Sequence, residues 1–200
     1  MTAILYIVRH GNTFDKGDVV TRVGGRTDLP LSTSGKAQAR NLADHFSTAR
    51  LTTARSGPLK RTRETASAIL AAQSNPPELI TDLFLREIDY GPDENRPEDA
   101  VIARIGKPAL EAWERDSIPP PGWRVDPAAI IGNWQELFSD LAEEPGAHLI
   151  VTSNGIARFA LAAANAHRPD AKLPTGGYGV IALSPDPTLI DWNLRPPVAP

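Results

Sequence analysis

The apolar run AILYIV at positions 3–8 is the feature that most limits the fold of this chain. A strand that is apolar without alternation is typical of a mostly parallel sheet, because both faces of such a sheet are covered by helices. Further strand patterns follow along the chain, at 50–54, 78–82, 148–152, 178–184 and 188–193. The last two are expected to form a hairpin around Pro185-Asp186-Pro187.

Helical patterns separate most of these strands. One helix is expected to begin near Ser32 or Ser34, and another at Asp126-Pro127, where an aspartate can cap the first turn and proline suits its first position. Other helical patterns cover 58–72, 98–115 and 155–167. Strands alternating with helices predict an α/β fold, here a three-layer α/β/α sandwich around a mostly parallel sheet. The 200 residues fit one domain, 1–200, with an inserted region at about 92–125.

Composition excludes several classes of function. The chain has no cysteine, which excludes thiolate metal sites and cysteine nucleophiles, and its four histidines are scattered, so we expect no metal and no cofactor. The net charge of −3 argues against a nucleic-acid or anionic-membrane partner, since both need a face rich in Lys and Arg. The apolar run near the start is too short for a signal peptide or a membrane span, so we expect a cytoplasmic protein.

The residues directly after the first strand can handle phosphate. Ligands of open α/β sheets bind beyond the carboxyl ends of the strands, and this is where Arg9, His10 and Gly11 lie in the sequence. A histidine ring nitrogen can attack phosphorus, while an arginine beside it grips the phosphoryl oxygens with a forked, permanent charge. Asn12 can donate a further hydrogen bond. Taken alone, an Arg-His pair is more often a hydrogen-bonded loop than a site.

Three further segments remove that ambiguity when they are read together with IVRHGNTF at 7–14. They are GGRTDLPLSTSGKAQA at 24–39, SGPLKRTRETA at 56–66 and LREIDYG at 85–91. In order and spacing, the four segments resemble the histidine phosphatase superfamily, in its phosphoglycerate mutase-like branch 1. Four ordered matches are far more specific than any one of them.

The resemblance assigns roles to residues of this chain. It implies that Arg61 is a second phosphate-binding arginine and that Glu87 is the acid that protonates the leaving group. Arg22 lies in a loop where similar proteins often contribute another arginine to the phosphate, although the spacing matches less closely. Asp89, Asp93 and Glu94 are alternative carboxylates to Glu87, and Glu94 lies where some similar proteins have a second glutamate.

The chain departs from the family pattern after the strand at 148–152. The family usually has a second histidine there, whereas this chain has Asn154 followed by Gly155. An asparagine amide can still donate a hydrogen bond to a phosphoryl oxygen, but it carries no charge and does not titrate. Arg9, Arg61, Asn154, Arg22, Asn12 and Gly155 together form the expected phosphate site.

These residues favour a metal-independent phosphatase that hydrolyses a small phosphomonoester through a phosphohistidine on His10. A non-catalytic phosphate-binding protein is the alternative that Asn154 supports, and a mutase of the phosphoglycerate type is a third. Trp113 and Trp123 flank a proline-rich loop and either line a substrate entrance or pack in the core, as aromatic residues usually do.

Overall fold

A computed structural model describes residues 3–197. Within that range six strands form one sheet in the order β3-β2-β4-β1-β5-β6. Their bounds are β1 Ala3–Arg9, β2 Leu51–Ser56, β3 Leu79–Thr81, β4 Gly146–Thr152, β5 Tyr178–Ala182 and β6 Thr188–Leu194. The pairs β2–β3, β2–β4 and β1–β4 are parallel, whereas β5 is antiparallel to both of its neighbours. The expected mostly parallel sheet is therefore confirmed.

Helices cover both faces of this sheet. They are α1 Thr33–Phe46, α2 Lys60–Ala71, α3 Glu98–Ile105, α4 Lys107–Asp116, α5 Pro127–Ala142 and α6 Asn154–Ala163. Side chains of α1 and α2 form one core cluster with Val8 and Val151, while side chains of α4, α5 and α6 form another with Ile7 and Ile150. Neighbouring residues of one strand thus face opposite cores, and the three-layer α/β/α sandwich is confirmed.

The region at 98–115 differs from the single helix that was expected. Two helices occupy it, because Gly106 adopts a positive φ of 79° and Pro108 lies in the first turn of α4. Glycine reaches that conformation without steric cost, and proline cannot continue a preceding helix. Val101 of α3 and Trp113 of α4 are both buried. The single domain with bounds 1 and 200 stays a prediction, and both ends lie outside the described residues.

The register of the parallel strands decides where the functional residues meet. Arg9 is the partner of Thr152, and Ser56 is the partner of Val151, so β1, β2 and β4 end at one edge of the sheet. The segments that follow these strands therefore converge. None of the helices within 3–197 is long and apolar enough to cross a lipid bilayer.

Candidate active site

His10 is the first residue after β1, and its ring is held in one tautomer. Its Nδ1 lies 2.7 Å from the carbonyl oxygen of Gly11, which can only accept a hydrogen bond, so Nδ1 carries the proton. The other ring nitrogen, Nε2, is then unprotonated, and its lone pair accepts a hydrogen bond of 3.1 Å from Arg61 Nε. A neutral imidazole with an unprotonated Nε2 is the form that can attack an electrophile.

The surroundings keep His10 neutral. The residue is buried, and burial is the main reason that its pKa lies well below the ordinary value, followed by the positive charges of Arg61 and Arg9. The hydrogen bond to Gly11 opposes this shift and is outweighed. The nucleophilic form is therefore present at neutral pH.

Arg61 lies in the first turn of α2 and is completely buried. Its two terminal nitrogens donate to the carbonyl oxygens of Thr27, at 2.8 Å, and Gly24, at 3.2 Å. Burial lowers its pKa, and nearby Glu87 partly restores it. The guanidinium is thus a fixed positive charge against the His10 ring.

Arg9 completes the pair of arginines beside the histidine. One terminal nitrogen donates to the carbonyl oxygen of Leu173 at 2.6 Å, while the buried Nε has no partner within residues 3–197. Burial lowers the pKa of Arg9, and the negative charge of Glu87 opposes that shift. Because Arg9 lines the cavity described below, it keeps donor capacity for a ligand.

Glu87 is a buried carboxyl group on the wall of the same cavity. Burial raises its pKa above the ordinary value, although Arg61 and the backbone N–H groups of Ile88 and Gly155 act in the opposite direction. Gly155 N donates to Glu87 Oε2 at 3.3 Å, and a Cβ at Gly155 would lie 2.1 Å from Glu87 Oε1. Gly155 therefore lies against the acid, and its N–H is directed to Glu87.

Asn154 begins α6, directly after β4, and lines the cavity. Its Oδ1 accepts a hydrogen bond of 2.9 Å from the backbone N–H of Leu173. That contact fixes the orientation of the amide, because only the oxygen can accept from an N–H. The amide NH₂ group is left to donate.

One cavity of about 550 Å³ brings these groups together. Its lining includes six of the eight predicted site residues, all except Arg61 and Gly155, and further side chains from α3, α4 and the segment before β5. Its lining residues include Arg9, His10, Asn12, Arg22, Glu87, Tyr90, Glu98, Trp113, Glu114, Asn154, Lys172 and Thr175.

A family model of the histidine phosphatase superfamily (branch 1) matches residues 5–184. The chain belongs to this superfamily. A protein named probable phosphoglycerate mutase GpmB, from Proteus mirabilis (strain HI4320), is 38% identical over 114 residues, which cover 57% of this chain and 49% of the relative. Its counterpart from Enterobacter sp. (strain 638) is 30% identical over 161 residues, 76% of this chain and 70% of the relative. The chain thus spans only about half the length of the Proteus protein.

Solved structures of low sequence identity share the fold of this chain. A mycobacterial glucosyl-3-phosphoglycerate phosphatase has a TM-score of 0.79 at 20% identity and covers 98% of this chain and 100% of its own. The phosphoglycerate mutase of Bacillus anthracis str. Sterne has a TM-score of 0.80 at 20% identity, with coverage of 96% and 93%.

Two of the residues predicted to bind phosphate, Arg22 and Asn12, already have partners within the protein. Arg22 forms an ion pair with Glu98 and lies over the rings of Tyr90, at 5.3 Å, and Trp123, at 5.0 Å. The Asn12 side chain donates to Ser34 Oγ at 3.1 Å and accepts from Thr175 Oγ1 at 2.5 Å. Both residues line the cavity, but their side chains already contact other residues of the protein.

One alternative acid, Glu94, lies elsewhere. One of its carboxylate oxygens accepts from the backbone N–H groups of Gly24 and Arg26, at 3.1 and 3.0 Å, and from the Thr27 hydroxyl, at 2.8 Å. Glu94 is not among the cavity-lining residues. It stabilises the loop whose carbonyl oxygens hold Arg61.

Several residues of the site went unnoticed in the sequence. Thr65 of α2 accepts from the N–H of Gly11 at 3.2 Å, and Glu114, Lys172 and Thr175 line the cavity from distant segments. A periodic apolar helix face gives no sign of such polar roles.

Trp113 lines the cavity although only 1% of its surface is exposed, so it belongs to both the core and the site.

Proposed function

We propose that this chain is a phosphomonoesterase that transfers the phosphoryl group of a small phosphorylated substrate to His10 and then to water. The observation that carries the proposal is the neutral His10, whose unprotonated Nε2 contacts Arg61 and which shares a cavity with Arg9 and the buried acid Glu87. The family to which the chain belongs supports it.

The proposed reaction has two steps. His10 Nε2 forms a bond to phosphorus as the bond to the leaving oxygen breaks, and Glu87 gives its proton to that oxygen. A water molecule then attacks the phosphohistidine, the phosphorus–nitrogen bond breaks, and the Glu87 carboxylate takes the proton of the water. Inorganic phosphate leaves, and both residues return to their starting forms.

Charge on the phosphoryl oxygens is stabilised by Arg9, Arg61 and the NH₂ group of Asn154. We place Asn154 where the superfamily usually has its second histidine, because it follows β4 and has its amide fixed beside the cavity. Loss of one such donor typically costs about 10²–10³ in rate. Since the amide remains a donor, turnover is slowed rather than abolished.

The remaining predicted ligands take supporting roles in this proposal. Gly155 gives its N–H to Glu87, and Asn12 connects the loop after β1 to Ser34 and Thr175. The part of the cavity lined by Arg22, Glu98, Glu114 and Lys172 is its outer wall. Arg22 contacts the substrate there, and its Nε is buried without a partner among the described residues.

A phosphatase fits the cavity better than a mutase does. A mutase must hold a second phosphate, but the outer wall presents the carboxylates of Glu98 and Glu114, each paired with a cation that also lines the cavity. The lining cations there are each matched by a carboxylate, so this part of the cavity has no excess of positive charge to hold a second dianion. A protein that only binds phosphate would need neither an unprotonated histidine nitrogen nor a buried acid.

The test is hydrolysis of p-nitrophenyl phosphate between pH 5 and 8, with a chelator present. We predict turnover by the wild type and a loss of at least about 10³-fold in His10→Ala, because the nucleophile is gone. His167→Ala is the matched control, since His167 is exposed. Full activity in His10→Ala would contradict the proposal, and phosphate binding without turnover by the wild type would favour the non-catalytic alternative. A cytoplasmic location remains a prediction from the short apolar run near the start, and the absence of a nucleic-acid partner remains a prediction from the net charge.

A further inference from the structure

Lys172 lies in the segment between α6 and β5, next in sequence to a residue that contacts Asn154 and Arg9. Arg9, His10 and Asn154 line the part of the cavity that is proposed to hold the phosphate, the phosphate end. The residue after Lys172, Leu173, donates its N–H to Asn154 Oδ1 at 2.9 Å and accepts from Arg9 at 2.6 Å through its carbonyl oxygen. The Lys172 side chain lines the same cavity as His10. The backbone of Lys172 is therefore anchored directly beside the proposed phosphate ligands.

The ammonium group of Lys172 shares its carboxylate partner with another cation. Lys172 Nζ lies 3.3 Å from Glu114 Oε1, and Arg158 donates to Glu114 Oε2 at 3.0 Å. The Arg158 side chain is completely buried, donates to the Trp113 carbonyl oxygen and lies 4.4 Å from the centre of the Trp113 ring. One negative charge thus faces two positive charges, and the cluster has a net charge of +1.

Only one of these two cations can move easily. Arg158 is locked by burial and by its contacts, whereas the Lys172 side chain is 56% exposed and sits on a flexible four-carbon stem. The Glu114 carboxylate is also close enough to Arg9 to raise the pKa of that arginine, which places the cluster within electrostatic range of the phosphate end.

We propose that Lys172 is a phosphate-binding residue, whose ammonium moves from Glu114 to a phosphoryl oxygen when substrate binds. It would supply the positive charge that Asn154 cannot carry, and Glu114 would keep Arg158 as its partner. The inference rests on the proposed function, because it assumes that the phosphate lies among Arg9, His10 and Asn154.

The first experiment compares Lys172→Met with Lys36→Met, an exposed lysine of α1 that lies outside the cavity. Binding of inorganic phosphate is measured by calorimetry, inhibition is measured with vanadate, and kcat/KM is measured with p-nitrophenyl phosphate. We expect Lys172→Met to weaken phosphate binding about tenfold and to lower kcat/KM by about 10²-fold, since a charged donor is lost from the transition state. Values equal to those of Lys36→Met would overturn the proposal.

A second variant separates direct binding from an indirect effect of Glu114. Without Lys172, the Glu114 carboxylate could repel the phosphate by itself. The double variant Lys172→Met/Glu114→Gln removes that charge and keeps an amide oxygen for Arg158. The proposal predicts that the double variant stays at least about tenfold below the wild type, whereas recovery to wild-type activity would show that Lys172 only neutralises Glu114.

A third variant tests whether Lys172 and residue 154 share one task. Asn154→His restores a group that can carry charge, so it should raise kcat/KM more in the Lys172→Met background than in the wild type. An equal effect in both backgrounds would count against the proposal. Failure of the proposed function looks different, because the wild type would then lack turnover, while phosphate binding by the two lysine variants would still decide the role of Lys172.

Discussion

Each group that we assign to the chemistry has its ionisation state set by neighbours that are visible in the structure. Burial lowers the pKa of His10 and raises the pKa of Glu87, so one residue stays neutral and the other tends to hold its proton. Burial therefore favours both the neutral form of His10, which is the nucleophile, and the protonated form of Glu87, which is the acid. Arg61 adds to the first effect and opposes the second.

Glu87→Gln tests the acid through the leaving group. Protonation matters for a poor leaving group such as an alkoxide and hardly for p-nitrophenolate, so kcat/KM should fall by about 10²–10⁴-fold for glycerol phosphate and much less for p-nitrophenyl phosphate. Steady-state kinetics on both substrates measure this. Equal losses on the two substrates would contradict a role as the acid.

The pH profile of the same variant gives a second test. The protonated form of Glu87 is active, so wild-type kcat/KM for glycerol phosphate should fall as pH rises through the raised pKa of Glu87, and Glu87→Gln should lack that fall. Ionisation of the substrate affects both proteins alike. Activity should persist below pH 6.5, because His10 stays neutral there.

At the scale of elements, the loop at 24–27 decides whether Arg61 is correctly placed. This loop holds two nitrogens of Arg61 through carbonyl oxygens and is itself held by the Glu94 carboxylate. A residue some 30 positions further along the chain than Arg61 therefore positions a phosphate ligand on α2 without touching the cavity.

Glu94→Gln should loosen this loop. A glutamine amide is a weaker acceptor than a carboxylate, and hydrogen bonds to charged groups are worth about 1.5–3 kcal/mol, so we expect a lower melting temperature and about tenfold weaker phosphate binding. Thermal melts and calorimetry measure these effects. Glu143→Gln, at an exposed glutamate just after α5, is the control, and identical behaviour of the two variants would refute the positioning role.

At the scale of the whole molecule, the sequence predicted the parts that local patterns encode. The apolar run of β1 and the residues that follow it place Arg9 and His10 at the carboxyl edge of the sheet, where the structure has them. The N-cap residue Asp126, followed by Pro127 at the first helical position, marked the start of α5. Gly106 and Pro108 lie at the break between α3 and α4, which the prediction of one helix over 98–115 missed.

What the sequence could not show are contacts between distant segments. The pairing of Arg22 with Glu98 depends on how α3 packs against the loop after β1, and Glu114 meets Lys172 across 58 positions. Neither pair has a local pattern, because the charges are ordinary and only the fold brings them together. The site was therefore predictable at the phosphate end and not at the outer wall.

The most direct test of the account is detection of a phosphohistidine. Protein mixed with p-nitrophenyl phosphate is quenched at alkaline pH, where this bond survives, and the peptides are examined by mass spectrometry. The account predicts phosphate on His10 in the wild type and in His167→Ala, and none in His10→Ala. Turnover by the wild type with an unmodified His10 at every quench time, or phosphate on another residue, would contradict it.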